Sequence, residues 1–435
     1  IKQVWEAYKA GKDAVIGQCL VTGETAPIAR LHASLKGIKN ANPTGASLVG
    51  FNAPAYESYN RAKEQGLNAP VSEKATFAYT TALNYLLSPA NPNKKIHLGD
   101  TTVVYWAESD QPAYASVFAG LFDPEDLAEA EPRRSGAKQA NQELADTAQK
   151  VGRLQALDAS ALMQGLDQNV RFYVLGLAPN AARISVRFFI TEPFGKIIQR
   201  ILQHYADLSI EKEYDNQPSF ISVWQMLAET VSKKARDQDA SPLMAGAVFR
   251  AILSGAPYPA ALYNAILNRV RADQDDKEKR ISKINYVRAA TIKAYLIRKF
   301  QHQPEHTIQE VLTMSLNEQS TQPAYVLGRL FAVLEKVQQE AVSSGNTSIN
   351  ASIKDRYFTA ACAAPASVFP VLLRLAQHHI SKKDQSYFDR RIQKILNLLD
   401  VETNPIPARL SLDEQGVFIL GYYHERQDIY TPRNQ

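Results

Sequence analysis

At Pro193 the hydrophobic pattern of the chain changes period, and no single layer of secondary structure accommodates both sides of that change. Before it, residues 170–177 and 183–190 read as two strands, with Ala178-Pro179-Asn180 as the turn between them. In the second run Arg183, Ser185 and Arg187 alternate with Ile184, Val186 and Phe188, a period of two that gives one wet and one dry face. After Pro193 the period is helical to the end. The segments are 194–208, 219–234, 242–254, 259–273, 281–300, 307–315, 324–342, 352–361, 367–380, 386–399 and 412–424. The cleanest stripe is Val326, Leu327, Leu330, Val333, Leu334 and Val337. Ser411 and Glu414 form a capping box for the last segment. Short loops between amphipathic helices imply antiparallel bundle neighbours.

Upstream, residues 1–120 are irregular. Turn signals at Gly23, Gly37, Asn42-Pro43, Gly45 and Gly50 separate short strand candidates at 19–22, 47–51 and 101–106. One helix is expected over 75–87, capped by Ser72 and closed by Ser88-Pro89, with Phe77, Leu83, Leu86 and Leu87 on its buried side. Residues 123–160 are polar and turn-rich and read as an insertion or linker leading into a polar helix over 141–157. The expected fold class is therefore α+β: an irregular mixed α/β N-terminal part with short strands and a β-hairpin, then an all-α helical-bundle C-terminal part. A chain of 435 residues exceeds one ordinary core. The expected division is 1–122 (mixed α/β), 123–160 (linker), 161–192 (hairpin completing the first domain), 193–313 (helical) and 314–435 (C-terminal bundle).

No stretch of about 18 uninterrupted apolar residues is present, so no membrane span is expected. The first residues, Ile1-Lys2-Gln3-Val4-Trp5, do not read as a signal peptide, and without an initiator Met they are expected to lie inside a longer product. Cys19 and Cys362 are too few and too far apart for a disulfide framework, which fits a reducing cytoplasm. Net charge is +5, and the excess lies in the middle: residues 171–313 carry 20 Lys and Arg against 14 Asp and Glu. That asymmetry is compatible with a polyanion partner and equally with a solvated surface.

Phosphate-binding loops, a nucleophile elbow and an H-E-x-x-H helix are all missing from the sequence. Cys19 with His32 supplies at most two zinc ligands and reads as a buried thiol and a surface imidazole. Asp273, Asp275 and Asp276 have the chemistry to hold a divalent metal, as a nuclease requires, but sit among Lys277, Lys279 and Arg280 as a charged loop. His378 and His379 are adjacent on a helix and diverge by about 100°. The chain is expected to be no enzyme and to need no cofactor or metal.

The positive features concern phosphate. On a helix over 281–299, Ile281, Ile284, Ile292, Tyr295 and Leu296 fall opposite Lys279, Arg280, Lys283, Lys293 and Arg298. Such a basic face either tracks a nucleic-acid backbone or merely solubilises the helix. Lys382, Lys383, Arg390, Arg391 and Lys394 make a second cluster, diluted by Asp384 and Asp389. The stretch 36–52 combines glycines with Lys36, Lys39, Asn40, Ser47 and Asn52; glycines admit close approach of a ligand, and Asn and Lys can read base edges.

Ordered segments carry a resemblance. They run Cys19-Leu-Val-Thr-Gly-Glu24, Pro27-Ile-Ala-Arg-Leu-His32, Gly45-Ala-Ser-Leu-Val-Gly-Phe-Asn52, Tyr56-Glu-Ser-Tyr59 and Gln65-Gly-Leu-Asn-Ala-Pro-Val-Ser72. Residues 78–87, 99–108 and 174–187 continue the series. Together the chain resembles the large subunit of the type I-C CRISPR Cascade complex, the Csd1-type family, without most of that family's N-terminal region. The resemblance implies a non-catalytic subunit of a crRNA-guided complex, in which base pairing reads the target and protein reads a short motif in the flanking duplex. It implies as partners double-stranded target DNA and its displaced strand, crRNA-bearing backbone subunits, a small subunit and a recruited helicase-nuclease. It also implies that residues 314–435 resemble the small subunit and that Met314 starts a separate product. On this reading Asn40, Ser47 and Asn52, with Lys36 and Lys39, contact a groove. Arg280, Lys283, Lys293 and Arg298 contact the backbone, as do Lys382, Lys383, Arg390 and Lys394. The rival readings are a protein-only helical scaffold and a metal-dependent nuclease.

Overall fold

The structure, a computed structural model, describes residues 15–51, 53–57, 64–91, 94–122, 163–181, 183–233, 240–276, 281–304, 306–343, 352–380, 386–400, 402 and 404–431. The polar helix expected over 141–157 lies outside them. The described residues form a mixed α+β fold, with small antiparallel sheets in the first part and helices in the second. Chain contacts group the described residues into two compact units, one running to Ile198 and the other from Gln199 onward.

In the first unit Ile16–Gln18 (β1) pairs antiparallel with Thr25–Pro27 (β2). The strand expected at 19–22 is instead the turn joining them, closed by a bond from Gly23 N to Cys19 O of 2.9 Å, and its Leu20 and Val21 face solvent. Helix α1 (Glu73–Leu87) starts where Ser72 Oγ accepts the Ala75 amide at 3.2 Å. Leu83, Leu86 and Leu87 are buried as expected, but Phe77 is 70% exposed, because its position lies off the stripe that meets the sheet.

Lys95–Leu98 (β3), Thr101–Ala107 (β4), Arg171–Asn180 (β5) and Arg183–Pro193 (β6) form one antiparallel sheet in that order. The hairpin turn sits two residues later than the sequence suggests. Pro179 and Asn180 pair with Ile184 and Arg183, and Ala181 takes the left-handed bend (φ 53°). Pro179 is tolerated because β4 pairs with β5 only as far as Leu177, so no ladder bond is lost there. A bulge opposite Gly176 and Leu177 skips Arg187, so Val186 and Phe188 point to opposite faces and the simple alternation fails. Phe188 is buried and Val186 is 51% exposed. One sheet face packs Tyr105 and Phe172 against Phe118 of α2 (Ala113–Phe122) and against Phe194. The other packs Val104, Leu177 and Ile184 onto Leu83, Leu86 and Leu87 of α1, with Leu35, Ile38 and Ala46 completing the cluster. Each such aliphatic side chain contributes roughly 1.5–3 kcal/mol by burial.

The second unit is helical. After α3 (Phe194–Leu208), which begins in the first unit, come α4 (Val223–Ala228), α5 (Pro242–Ser254), α6 (Ala260–Ala272) and α7 (Tyr286–Phe300). Then follow α8 (Pro323–Ser343), α9 (Ile353–Ala363), α10 (Pro365–Ile380), α11 (Ser386–Leu396) and α12 (Leu412–Tyr430). The expected helix at 219–234 shortens to α4 and that at 307–315 to a 3-10 turn, Thr307–Val311. Helix α7 begins five residues later than expected, because the Asn285 side chain accepts the Arg288 amide at 2.9 Å and caps it there. The α8 stripe is buried throughout and lies on α12. A Cβ on Gly328 would fall 2.0 Å from Phe418 O, and one on Gly421 2.2 Å from Tyr325 O, so the two helices meet backbone to backbone. Phe331, Phe358, Phe418 and Tyr422 fill the space beside that contact edge to face.

Candidate nucleic-acid interface

Two buried residues shape the stretch that the sequence marks around residue 40. Leu35 and Ala46 exchange both backbone hydrogen bonds, at 2.9 and 3.0 Å, and close the neck of a loop whose tip is folded inward by Ile38. The loop lies across the end of α1. Asn84 accepts the Lys36 amide (2.9 Å) and donates to Ser34 O (3.2 Å), while Lys39 N donates to Thr102 Oγ1 (3.1 Å) on β4. Gly37 is required at the crossing: its φ is 82°, and a Cβ there would sit 2.5 Å from Leu87 O. With Leu35 and Ile38 held inside, Lys36, Lys39 and Asn40 stand outward and exposed, Asn40 itself left-handed at φ 61°.

The topology brings further basic groups to the same place. Lys95 Nζ donates to Leu87 O at 2.7 Å, capping the exposed carbonyls of α1, and Lys94 lies 4.9 Å from the Tyr85 ring. His97, hydrogen-bonded to Thr102, is held below its ordinary pKa by burial and by the charges of Lys95 and Lys39. Lys94, Lys95 and His97 were not singled out by sequence reasoning. They are about 60 residues from the loop along the chain, and only the pairing of β3 with β4 joins them to it.

Ser47 sits at the other side of the loop. Its carbonyl accepts Ile184 N at 3.0 Å, and it lines a cavity of about 100 Å³ with Arg30, His32, Gly50, Phe51 and Arg183 among others. Arg183 lies 3.5 Å from the Tyr56 ring centroid. His32 is buried rather than on the surface; its Nδ1 meets Tyr79 Oη at 2.5 Å, and burial holds the ring below its ordinary pKa. Asn52 lies outside the described residues.

The family model for CRISPR-associated protein (Cas_Csd1) matches residues 1–430. The chain belongs to the Csd1 family. No curated protein matches it.

In this Csd1-family chain the expected basic face of 281–299 is not on the surface. Lys283, Lys293 and Arg298 are each 3% exposed. Arg298 pairs with Asp207 at 2.8 Å, and Arg288, fully buried, pairs with Glu229 and Asp273, each at 2.7 Å. Lys283 lies 5.8 Å from the Phe358 ring centroid, and burial lowers the Lys293 ammonium to about 8. Arg288 and Arg298 tie carboxylates from other segments of the helical unit, and none of these four groups is exposed. Arg280, Lys382 and Lys383 lie outside the described residues.

The aspartates weighed for a nuclease are occupied as well. Asp273 takes Arg288, and Asp275 takes Lys354 at 2.6 Å and the Lys283 amide at 2.8 Å. Among the described residues no group of three or more His, Cys, Asp or Glu is arranged to hold a metal. None of the described helices is long and apolar enough to cross a membrane. In the last bundle, Arg390, Arg391 and Lys394 line a cleft of about 290 Å³. Arg391 is bound to Glu425 and Asp428, and Lys394 to Glu318, which leaves Arg390 exposed.

Proposed function

We propose that this Csd1-family chain is a non-catalytic subunit of a type I-C crRNA-guided Cascade surveillance complex, acting in the cytoplasm. On this reading it recognises the motif flanking the target in double-stranded DNA, supports R-loop formation and the displaced strand, and helps recruit a helicase-nuclease. Its other partners are the crRNA-bearing backbone subunits and a small subunit, for which Met314 is the proposed start. The observation that carries the reading is the family match over residues 1–430, joined to a pinned loop that turns Lys36, Lys39 and Asn40 outward beside Lys94 and Lys95. Base pairing with the guide supplies sequence in such a complex, so protein need only hold phosphates and read a few base edges. The engagement of Asp273 and Asp275 by Arg288 and Lys354 supports a role without hydrolysis.

The test is duplex binding by the guide-loaded complex assembled with and without this chain, on targets whose flanking motif is intact or scrambled. Loss of motif preference when the chain is omitted is the expected result. Unchanged preference and affinity would leave a protein-only scaffold as the better account.

A further inference from the structure

Where α8, α9 and α10 meet, the helical unit leaves a groove of about 200 Å³. Leu372, Leu375, Ala376 and His379 line it from α10, spaced three and four apart on one helix face. Leu334 of α8 and Ile353 of α9 complete the lining across from them, and they are buried with Leu372 and Ala376 as an aliphatic floor. Leu375 forms the outer wall and is 38% exposed. The junction is fixed in place. Ser352 and Asp355 cap α9 at its first turn, and Gln338 of α8 accepts the Ile353 amide at 2.7 Å. An occupant therefore meets a preformed wall rather than one it has to order.

The charges at the rim have one sign. No acid is among the described residues that line the groove, while Arg356 and His379 both do. Arg356 is exposed and has no hydrogen bond or ion pair among the described residues. The acids beside the groove along the chain are engaged. Asp355 accepts Ser352 N and Oγ, each at 2.9 Å, and Glu340 pairs with Lys336 at 2.8 Å. The Tyr357 hydroxyl, also at the rim, has no partner among the described residues.

Size and lining narrow the occupant. Pockets for drug-sized molecules run to about 300–1,000 Å³, so this groove is small for a free ligand and suits a single large side chain. Its floor is aliphatic and it offers one aromatic ring, Tyr357, which is a poor surface for stacking bases. A buried apolar anchor with a charged group at the wet edge is the usual form of a protein contact.

We propose that the groove between α8, α9 and α10 seats one apolar side chain of a partner protein, with an acidic residue next to it in the partner's sequence paired to Arg356. This goes beyond the nucleic-acid reading above, which gives the groove no role.

The test titrates the full chain, labelled at its Ile and Leu methyls, with three blocked tetrapeptides: Ser-Leu-Asp-Ser, Ser-Leu-Lys-Ser and Ser-Ala-Asp-Ser. The first should shift the Ile353, Leu372 and Leu375 methyl signals, and the other two should bind about tenfold more weakly, one lacking the charge match and the other the anchor. Arg356→Glu should invert the order, so that the lysine peptide binds better than the aspartate peptide. Arg356 is exposed in the first turns of α9, where a glutamate suits the helix dipole, so an unchanged urea midpoint is expected of the variant. No shift with any peptide, equal binding of the acidic and basic peptides, or an order unaffected by Arg356→Glu would overturn the proposal. Tighter binding of sodium hexanoate than of the acidic peptide would overturn it in favour of a small carboxylate. Displacement of that peptide by a DNA duplex, lost in Arg356→Glu, would overturn it in favour of a phosphate contact.

Discussion

Replacing Arg298 with methionine separates a structural cation from a DNA-binding one. Its guanidinium is 3% exposed, donates to Asp207 at 2.8 Å, and reaches Ala251 O at 3.0 Å and Ala256 O at 3.2 Å, with the Tyr258 ring 4.3 Å away. It therefore balances a carboxylate that is itself 2% exposed and satisfies the carbonyl end of α5. Arg298→Met leaves Asp207 buried with only the Gln203 amide (2.7 Å) as an uncharged partner. Removing one member of a buried pair costs about 3–5 kcal/mol, a large part of the roughly 5–15 kcal/mol that stabilises a native chain. The assay is urea unfolding, reading the shift in midpoint at constant slope. Asp207→Leu combined with Arg298→Met should recover part of the loss, because the buried carboxylate that lost its guanidinium is gone as well. A single variant within about 1 kcal/mol of the parent would refute the argument, as would a double variant no better than the single. So would a fully stable Arg298→Met whose DNA affinity falls with a smaller salt slope, since that is the behaviour of a phosphate contact.

Lys36→Ala with Lys39→Ala should weaken duplex binding alike for intact and scrambled motifs and reduce the salt slope by about two, one per lysine, as measured by titration across salt concentrations. Acid should destabilise the helical unit through His204 and His424, which burial, with Arg298 and Lys293 nearby, holds at about 3 against an ordinary 6.5. Both rings stay neutral when folded and take a proton when unfolded, so stability is complete above pH about 6.5 and falls steadily toward pH 3. At pH 5.5 the loss is on the order of 1 kcal/mol per ring, visible as a lower urea midpoint than at pH 7.5. Gly421→Ala should cost about 1–3 kcal/mol or more by forcing α8 and α12 apart, whereas Gly246→Ala, with open space around its Cβ, should raise stability by about 0.4–1 kcal/mol in the same melts.

The elements that the sequence revealed are those whose signal is local. The α8 stripe, the Ser72 and Ser411 caps and the hairpin each depend on neighbours within about a helical turn or a tight turn, and each is present. The misreadings are non-local. A helical wheel reports the side on which Lys293 and Arg298 lie but not how deep that side is. The acids that admit arginines into the core, Asp207, Glu229 and Asp273, come from other helices and loops. The bulge at Arg187 is likewise set by its partner strand, where Phe188 lies over Gly176. For the candidate interface, the loop around Lys36 and Lys39 was legible from its glycines and cations. Lys94, Lys95 and His97 became visible only with the strand order.

The closed neck of the 34–46 loop has a thermodynamic consequence. Its backbone is tied to Asn84 and Thr102 and lies close against Leu87 before any ligand arrives, so complex formation there orders two lysine side chains and very little chain. A segment that folds on contact gives up several kcal/mol to ordering and shows a large negative heat-capacity change. This loop belongs to the opposite class. Calorimetry on it should find a small heat-capacity change, with the free energy dominated by the release of counterions from DNA.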